Sequence, residues 1–583
     1  MTANAPTLPR IHAPSNRRTV GRGFPHVLAW GISLVVILPL LALLALALRG
    51  SGALWPHLIA YVLPAAALES ALLLIGTAVL VIAIGTTTAW LVTAYEFPAR
   101  RLLAWALLLP LAMPAYIVAY AYLDLLHPIG PLQSALRAVL GIAHPAGLRL
   151  PDFRSLGGGI FLFGMAFYPY VYLNVRGSFL MQSAEALEAA RVLGSSGVRL
   201  FFRIALPMAR PAIAAGAALA LMEVLGDIGA SEFLGIQTLT LSVYVTWATR
   251  GSVEGAAQIA LAMLIPVAIL FALEHAVRRR RLRAELVSRP LLRRRLLGWR
   301  AALATLACAL PVLLGFAAPA LHLLFAAQAR MAEHGVPWQL AGLAWNSARF
   351  AAVATMLAIV AGFVLAFCQR TANASLPMRI VQIGYAIPGT VLAVGLLGML
   401  AAIDTSIQFL GLDFLRGPLL MASAAALVLA YVARFLAVPV SALEAGYARL
   451  PKAMDDAARA VGAHPASIAW HIHAPLLRPM LRASALLLFI ECMRELPATL
   501  LLRPLNTETL ATFIYGEAAR GTYEDGAAAA LLMVLIGLAP VLLLAGRRPA
   551  GDAQHLPRLR RLAYADTGPL VKRRWPQFYK GTD

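Results

Sequence analysis

Charge is what this chain has least of. Only 13% of its 583 residues are Asp, Glu, Lys or Arg, against roughly 25% in soluble domains, so an ordinary soluble domain is excluded on composition. Acids are scarcer than bases, 27 against 49, for a net charge of +22. Cysteine is limited to Cys308, Cys368 and Cys492, in or beside apolar segments and without paired spacing. That pattern offers neither a disulfide set nor a thiolate metal site and suits small buried side chains. The sequence has no G-x-x-x-x-G-K-[ST] phosphate loop, so it is not itself an ATPase of that kind. It has no His-rich tract and no Ser/His/Asp set, which argues against a membrane-embedded enzyme. The polar–apolar alternation of a membrane β-barrel is also missing.

What is present is hydrophobicity: 60% of the residues, with a mean hydropathy of +0.76. Apolar runs of about 20 residues, long enough to cross a ~30 Å hydrocarbon core as helices, recur along the chain. The expectation is an all-α integral membrane protein with about twelve transmembrane helices, near 27–48, 65–94, 103–124, 158–178, 209–231 and 257–277, then 301–325, 346–369, 380–402, 418–440, 478–501 and 527–546. The first run lacks the cleavage site of a signal peptide and is expected to be retained. Basic residues gather in alternate connections: Arg100 and Arg101, the linker from Arg278 to Arg300, Arg370 and Arg379, and the tail with Arg547, Arg548, Arg558, Arg560 and Arg561. By the positive-inside rule both termini are cytoplasmic. Because these bases lie in short segments and form no face of a soluble domain, nucleic acid is not expected as a partner. The linker either contacts anionic membrane lipid or only fixes topology. The expected organisation is a cytoplasmic segment 1–26, a first transmembrane domain 27–277, a basic cytoplasmic linker 278–300, a second transmembrane domain 301–546 and a basic cytoplasmic tail 547–583.

The chain repeats itself. EAARVLGSSGVRLFFRIALP, residues 188–207, and DAARAVGAHPASIAWHIHAP, residues 456–475, align without gaps at an offset of 268 (475 − 207 = 268). The same offset pairs Arg210 and Pro211 with Arg478 and Pro479, Glu223 with Glu491, and Asp227 with Glu495. Pro114 and Pro388 fall in equivalent third spans at an offset of 274. Two copies of one six-helix unit follow. A repeat of this kind suits transporters generally. In the first polar segment, Gly194 supplies a helix stop, Ser195 and Ser196 can cap a second short helix, and Pro207 and Pro211 suit the first turn of the next span. The result is a bent, small-residue helix pair on the inner face, twice per chain, suited to docking something soluble. His464, His471 and His473 occur in the second copy alone and are expected at its surface.

Acids inside spanning helices are costly and suggest function. Glu223 and Glu491 each lie 16 residues past their proline, ~24 Å along a helix. Asp227 and Glu495 follow one turn later on the same helix face. The four carboxylates either line a pathway between the halves, where their oxygens suit a hard cation, or hold backbone amides of re-entrant loops. Arg494 is placed to neutralise an acid. Tyr116, Tyr120, Tyr122, Tyr168, Tyr170 and Tyr172 offer phenol oxygens or serve as interfacial and packing residues. His127 and His144, in the connection 124–157, are a candidate contact for an external protein.

The two polar segments resemble the EAA loop of ABC-importer permeases, E-A-A, three residues, Gly, nine residues, I-x-L-P. Glu188, Ala189, Ala190, Gly194, Ile204, Leu206 and Pro207 match in the first copy. Asp456, Ala457, Ala458, Gly462, Ile472 and Pro475 match in the second, which departs at Asp456 for Glu and Ala474 for Leu. The resemblance covers nearly the whole chain. It implies a fused, two-repeat, binding-protein-dependent permease in the cytoplasmic (inner) membrane, without catalytic residues, cofactor or firm metal site of its own. It also implies two copies of an ABC ATPase subunit that bind ATP and receive the loops, and a periplasmic solute-binding protein. RELPATLLLRPLNTETLATFIY, residues 494–515, and MEVLGDIGASEFLGIQTLTLSVY, residues 222–244, look most like ferric iron permeases. Thiamine, a polyamine or an organophosphonate is the alternative cargo. A proton-coupled secondary transporter is the rival of another class.

Overall fold

The computed structural model describes residues 23–142, 144–181, 197–281, 293–335, 337–410 and 423–546. Twenty helices organise it. The first half contains α1 (Gly23–Arg49), α2 (Leu54–Ala94), α3 (Arg100–Ala112), α4 (Ala115–Leu125), α5 (Pro131–Leu140), α6 (Leu156–Met181), α7 (Gly197–Gly226), α8 (Gly229–Phe233), α9 (Leu239–Ala248) and α10 (Val253–Arg281). The second contains α11 (Trp299–His334), α12 (Gln339–Ala372), α13 (Ser375–Ile383), α14 (Gly389–Phe409), α15 (Ala424–Tyr447), α16 (Lys452–Ala460), α17 (Ala474–Met493), α18 (Pro497–Leu502), α19 (Leu510–Arg520) and α20 (Tyr523–Gly546). The described residues up to Val541 form one compact unit.

Among the described residues ten helices are long and apolar enough to cross a membrane, or eleven if α3 and α4 count as one broken span. α17 has 20 residues but carries Arg478, Arg482 and Glu491. Where they are described, the twelve expected segments fall on helices, yet four of them are interrupted. The segment expected at 103–124 bends by 91° between α3 and α4. At the bend Met113 and Pro114 are extended (ψ 119° and 144°). Proline withholds an N–H and disfavours helix at the residue before it. Ile387 and Pro388, at the 274 offset, repeat the break (ψ 126° and 145°) between α13 and α14. The segment expected at 209–231 starts earlier, at Gly197, and stops at Gly226. That expected at 478–501 stops at Met493.

Prolines also explain a second irregularity. Wide i→i+5 turns occur at Leu58–Val62, Phe201–Ala205, Leu313–Ala317 and Ala469–His473. Each ends two residues before a proline: Pro64, Pro207, Pro319 and Pro475. An α-turn would drive the proline ring into the carbonyl four residues back, and the wider turn moves that carbonyl away. Pro207 thus sits inside α7, and Pro475 follows without a break from the helical turns Pro465–Ile468 and Ala469–His473 that lead into α17.

The halves interlock. α1 packs against α12, α13 and α14 of the second half, while α11 packs against α2, α3, α4 and α6 of the first. The last helix of the first half, α10, lies on α14. Close approach requires glycine at one crossing, because a Cβ on Gly395 of α14 would collide with the Pro39 carbonyl of α1. Two short parallel strands, β1 (Tyr95–Glu96) and β2 (Arg294–Arg295), tie the end of the linker to the connection after α2. The three cysteines are buried and unpaired.

Candidate functional site

One cavity lies on the boundary between the halves, and part of its lining comes in equivalent pairs. At the offset of 268, Phe167 is equivalent to Phe435, Glu223 to Glu491, Asp227 to Glu495 and Ile228 to Leu496, and all eight line the cavity; Pro114 contributes from the bend before α4. The water-accessible space is small, about 90 Å³.

Two of the equivalent pairs in the lining differ in charge. Arg434 is the sequence equivalent of Ala166, and Arg494 of Gly226, and all four line the cavity. Both cations thus come from the second half, and they engage its two acids. Arg434 Nη1 donates to Glu495 Oε1 at 2.7 Å. Arg494 Nε donates to Glu491 Oε2 at 3.1 Å, and its Nη2 donates to Oε1 of the same carboxylate. Sequence placed Arg494 beside Glu495; the structure turns it one helical turn back, to Glu491.

The expected i, i+4 pairing on one helix face is corrected. Glu223 and Glu491 are helical, but Asp227 and Glu495 lie past the ends of α7 and α17. Their carboxylates act as caps for the next short helix. Asp227 accepts from the amides of Ala230 (2.8 Å) and Ser231 (3.3 Å). Glu495 accepts from the amides of Ala498 and Thr499, each at 3.1 Å. The spanning helix must stop there, because an acid inside it could not reach amides that lead into α8 or α18. Each half then turns back through a second short helix whose N-terminal Thr hydroxyl accepts an amide, Thr238 from Leu241 and Thr509 from Thr512.

Glu223 is the exception. It accepts one hydrogen bond, from the Tyr385 hydroxyl at 3.2 Å, and is in no ion pair among the described residues. Glu491, Arg434 and Arg494 are within its electrostatic reach. No group of three or more His, Cys, Asp or Glu suited to a metal ion occurs among the described residues. The tyrosines are not an interfacial belt: Tyr116, Tyr120, Tyr122, Tyr168 and Tyr172 are buried, and Tyr116 and Tyr170 line the cavity.

The second docking segment is a helix–turn–helix. Two residues past the end of α16 comes Gly462, whose φ of +82° is a left-handed conformation that suits glycine. Gly462 N–H donates to the Arg459 carbonyl and Ala463 N–H to the Ala458 carbonyl, both at 3.0 Å, the paired closure of a Schellman motif. Asp456 and Ala457 are exposed, whereas Ala458 faces inward. Pro475 follows the wide turn, and Ile472 lies within it. In the first segment Ile204, Leu206 and Pro207 are on α7, whereas Glu188, Ala189, Ala190 and Gly194 lie outside the described residues.

Asp455, not Asp456, is the buried acid. It accepts from Arg370 Nε at 2.7 Å and Nη2 at 3.2 Å and pairs with His473 Nε2 at 2.9 Å. Arg370 also donates to the carbonyls of Tyr447, Leu450 and Pro451, each at 3.1 Å. Burial raises the Asp455 pKa, but the hydrogen bonds from Arg370 and His473 outweigh it and hold the carboxyl below its ordinary value. His473 is therefore buried, against expectation, while His464 and His471 are exposed. Asp455, Tyr385 and Arg434 were missed from sequence. Arg434 had a signal, a lone cation within an apolar run.

Two interlocked repeats of apolar helices closing on one charged cavity define a solute permease of the membrane. The family model for the binding-protein-dependent transport system inner membrane component matches residues 85–283. The chain is 22% identical to the Fe(3+)-transport system permease protein FbpB 2 of Haemophilus influenzae over 488 residues, covering 81% of this chain and 88% of that protein. It is 30% identical to the molybdenum transport system permease protein ModB of Escherichia coli over 191 residues, 31% of this chain and 80% of that one. It is also 30% identical to the sulfate transport system permease protein CysW of Escherichia coli over 190 residues, 31% of this chain and 62% of that one. The chain belongs to the binding-protein-dependent transport system inner membrane component family and is a multi-pass inner-membrane protein.

Proposed function

We propose that this chain is the complete membrane pathway of an ATP-driven importer, with ferric iron as its cargo. The observation that carries the reading is the pairing of Glu223 with Glu491 and of Asp227 with Glu495 around one cavity between the repeats. A single chain then supplies what two permease subunits would. The helix pair around Gly462, and its first-half counterpart at Gly194, each receive one copy of a separate ATPase subunit at the cytoplasmic face. A periplasmic binding protein delivers the solute to the opposite face, where the exposed His127 and His144 are available to it. Both termini are cytoplasmic, and the linker arginines lie at the lipid headgroups.

Iron is supported by the likeness to FbpB 2 over both repeats and by a carboxylate-rich lining with oxygen ligands for a hard cation. The lining passes such an ion without caging it, because Asp227, Glu491 and Glu495 are already engaged by amides or guanidinium groups. One observation favours an oxyanion as the second reading: Arg434 Nε is buried in the cavity wall without a hydrogen-bond partner among the described residues, in a chain of which about a third is similar to ModB and to CysW.

The test is uptake of radiolabelled ferric iron by cells expressing the chain with its ATPase and binding protein, compared with the same system carrying Gly194→Glu and Gly462→Glu. Loop-dependent iron uptake is expected. Loop-dependent uptake of molybdate or sulfate without iron would transfer the reading to oxyanions. Uptake indifferent to both loop changes would remove the ATP-driven mechanism.

A further inference from the structure

The bends in the third spans and the glutamates of the fifth spans are joined across the repeat boundary twice. Tyr385, in the bend of the second half, donates its hydroxyl to Glu223 of the first at 3.2 Å. Leu111, in the bend of the first half, accepts from Arg494 Nη1 of the second at 2.9 Å, and Glu491 holds that arginine. Tyr385 and Leu111 are equivalent positions (385 − 111 = 274), as are Glu223 and Glu491 (491 − 223 = 268). Each glutamate thus reaches the other half's bend, one directly and one through an arginine. Leu111 is open to this contact because the extended Met113 and the proline after it end the helix and remove the amides that would serve its carbonyl.

We propose that these two contacts form a paired latch that keeps the cavity shut at rest, with Tyr385 and Arg494 as its positioning residues. The inference rests on the reading of the cavity as the pathway. At about 90 Å³ the space holds only a few waters, so passage requires the lining to part. Both contacts cross the repeat boundary, so neither survives separation of the halves there. Each lies at a helix break, where a change of backbone angle leaves the long helices intact. The two are unequal. The Tyr385 contact is a single hydrogen bond, whereas Arg494 combines two bonds to a carboxylate with one to a carbonyl, so the first is the weaker half.

The experiment places a thiol in the cavity wall by Ala166→Cys, a position that is buried in the closed state. The readout is its rate of modification by a membrane-impermeant methanethiosulfonate in the assembled importer in vesicles. The unsubstituted chain gives the background from the three buried native cysteines. At rest the introduced thiol reacts slowly. Adding Tyr385→Phe raises the rate about fivefold, the shift expected from losing one hydrogen bond, and Arg494→Gln raises it further. Tyr168→Phe is the control, because the Tyr168 hydroxyl is buried without a hydrogen-bond partner among the described residues, and it leaves the rate unchanged. Equal rates with and without Tyr385→Phe, or an equal rise with Tyr168→Phe, would overturn the latch. A thiol that reacts during ATP turnover yet ignores Tyr385→Phe removes the latch alone. One that never reacts, even in turnover, removes both the latch and the pathway.

Discussion

Arg370 and Asp455 form a two-pronged ion pair, 2.7 Å at its shorter contact, with each side chain only 6% exposed. It clasps α16, the outer helix of the second docking segment, to the end of α12. His473 joins from the base of α17. The first half has no equivalent acid or histidine, since Leu187 and Ala205 occupy the 268-offset positions. Asp455→Asn keeps the shape and removes the charge, and a charge-assisted bond contributes ~1.5–3 kcal/mol. Limited proteolysis of membranes should therefore cut near the exposed Val461 several-fold faster in this variant, with uptake falling in parallel. Unchanged cleavage would mean that the clasp does not hold the segment.

The same pair sets a pH response. The folded Asp455 pKa lies below the ordinary 3.8, so the unfolded segment binds the proton more readily than the folded one. Its contribution is complete above 3.8 and is lost as pH falls through the lower folded value. Hydrogen exchange of the amides of residues 452–463 should thus be insensitive to this group from neutral pH to about 4 and lose protection only below that. Loss of protection that begins well above pH 4 would show that the Asp455 carboxylate is not what holds the clasp.

Gly462 is the turn that the docking segment needs, at φ +82°. A Cβ there meets no atom within 4 Å, so a substitution is limited by backbone strain and not by space. Gly462→Ala should cost the segment about 1–2 kcal/mol, and Gly462→Asn less, since asparagine tolerates the left-handed region. Uptake should rank Gly, Asn, Ala in falling order. Equal uptake for Asn and Ala would show that the backbone angle is not what the position supplies.

The repeat and the docking spacing were readable because both survive as constant offsets in the sequence. The four carboxylates were readable for the same reason. The helix breaks were not, because the composition does not change across them. LLLPLAMPAYIVAY is apolar on both sides of the 91° bend, and a proline alone does not distinguish a kink from a break. The identity of the buried acid in DDAARA was hidden by phase: Asp455 and Ala458, one turn apart, face inward, while Asp456 and Ala457 face outward. Crossing of α1 and α11 to the opposite half depends on contacts remote in sequence, which no local pattern encodes.

The asymmetry of the cavity gives the last prediction. Glu223 and Glu491 are equivalent in sequence, but only Glu491 is bound to a guanidinium. Glu223→Gln therefore removes a charge from the lining and leaves no cation stranded, so uptake should fall with little loss of protein from the membrane. Glu491→Gln leaves Arg494 with only the Leu111 carbonyl, and breaking such a buried pair costs ~3–5 kcal/mol. That variant should lose thermal stability in detergent as well as uptake. Adding Arg494→Gln to it should recover much of the stability without restoring transport. Glu223→Gln with Glu491→Gln should abolish uptake while the chain still copurifies with its ATPase. Uptake persisting in that double variant would exclude the carboxylates from the pathway, and equal stability of the two single variants would deny the ion pair its structural part.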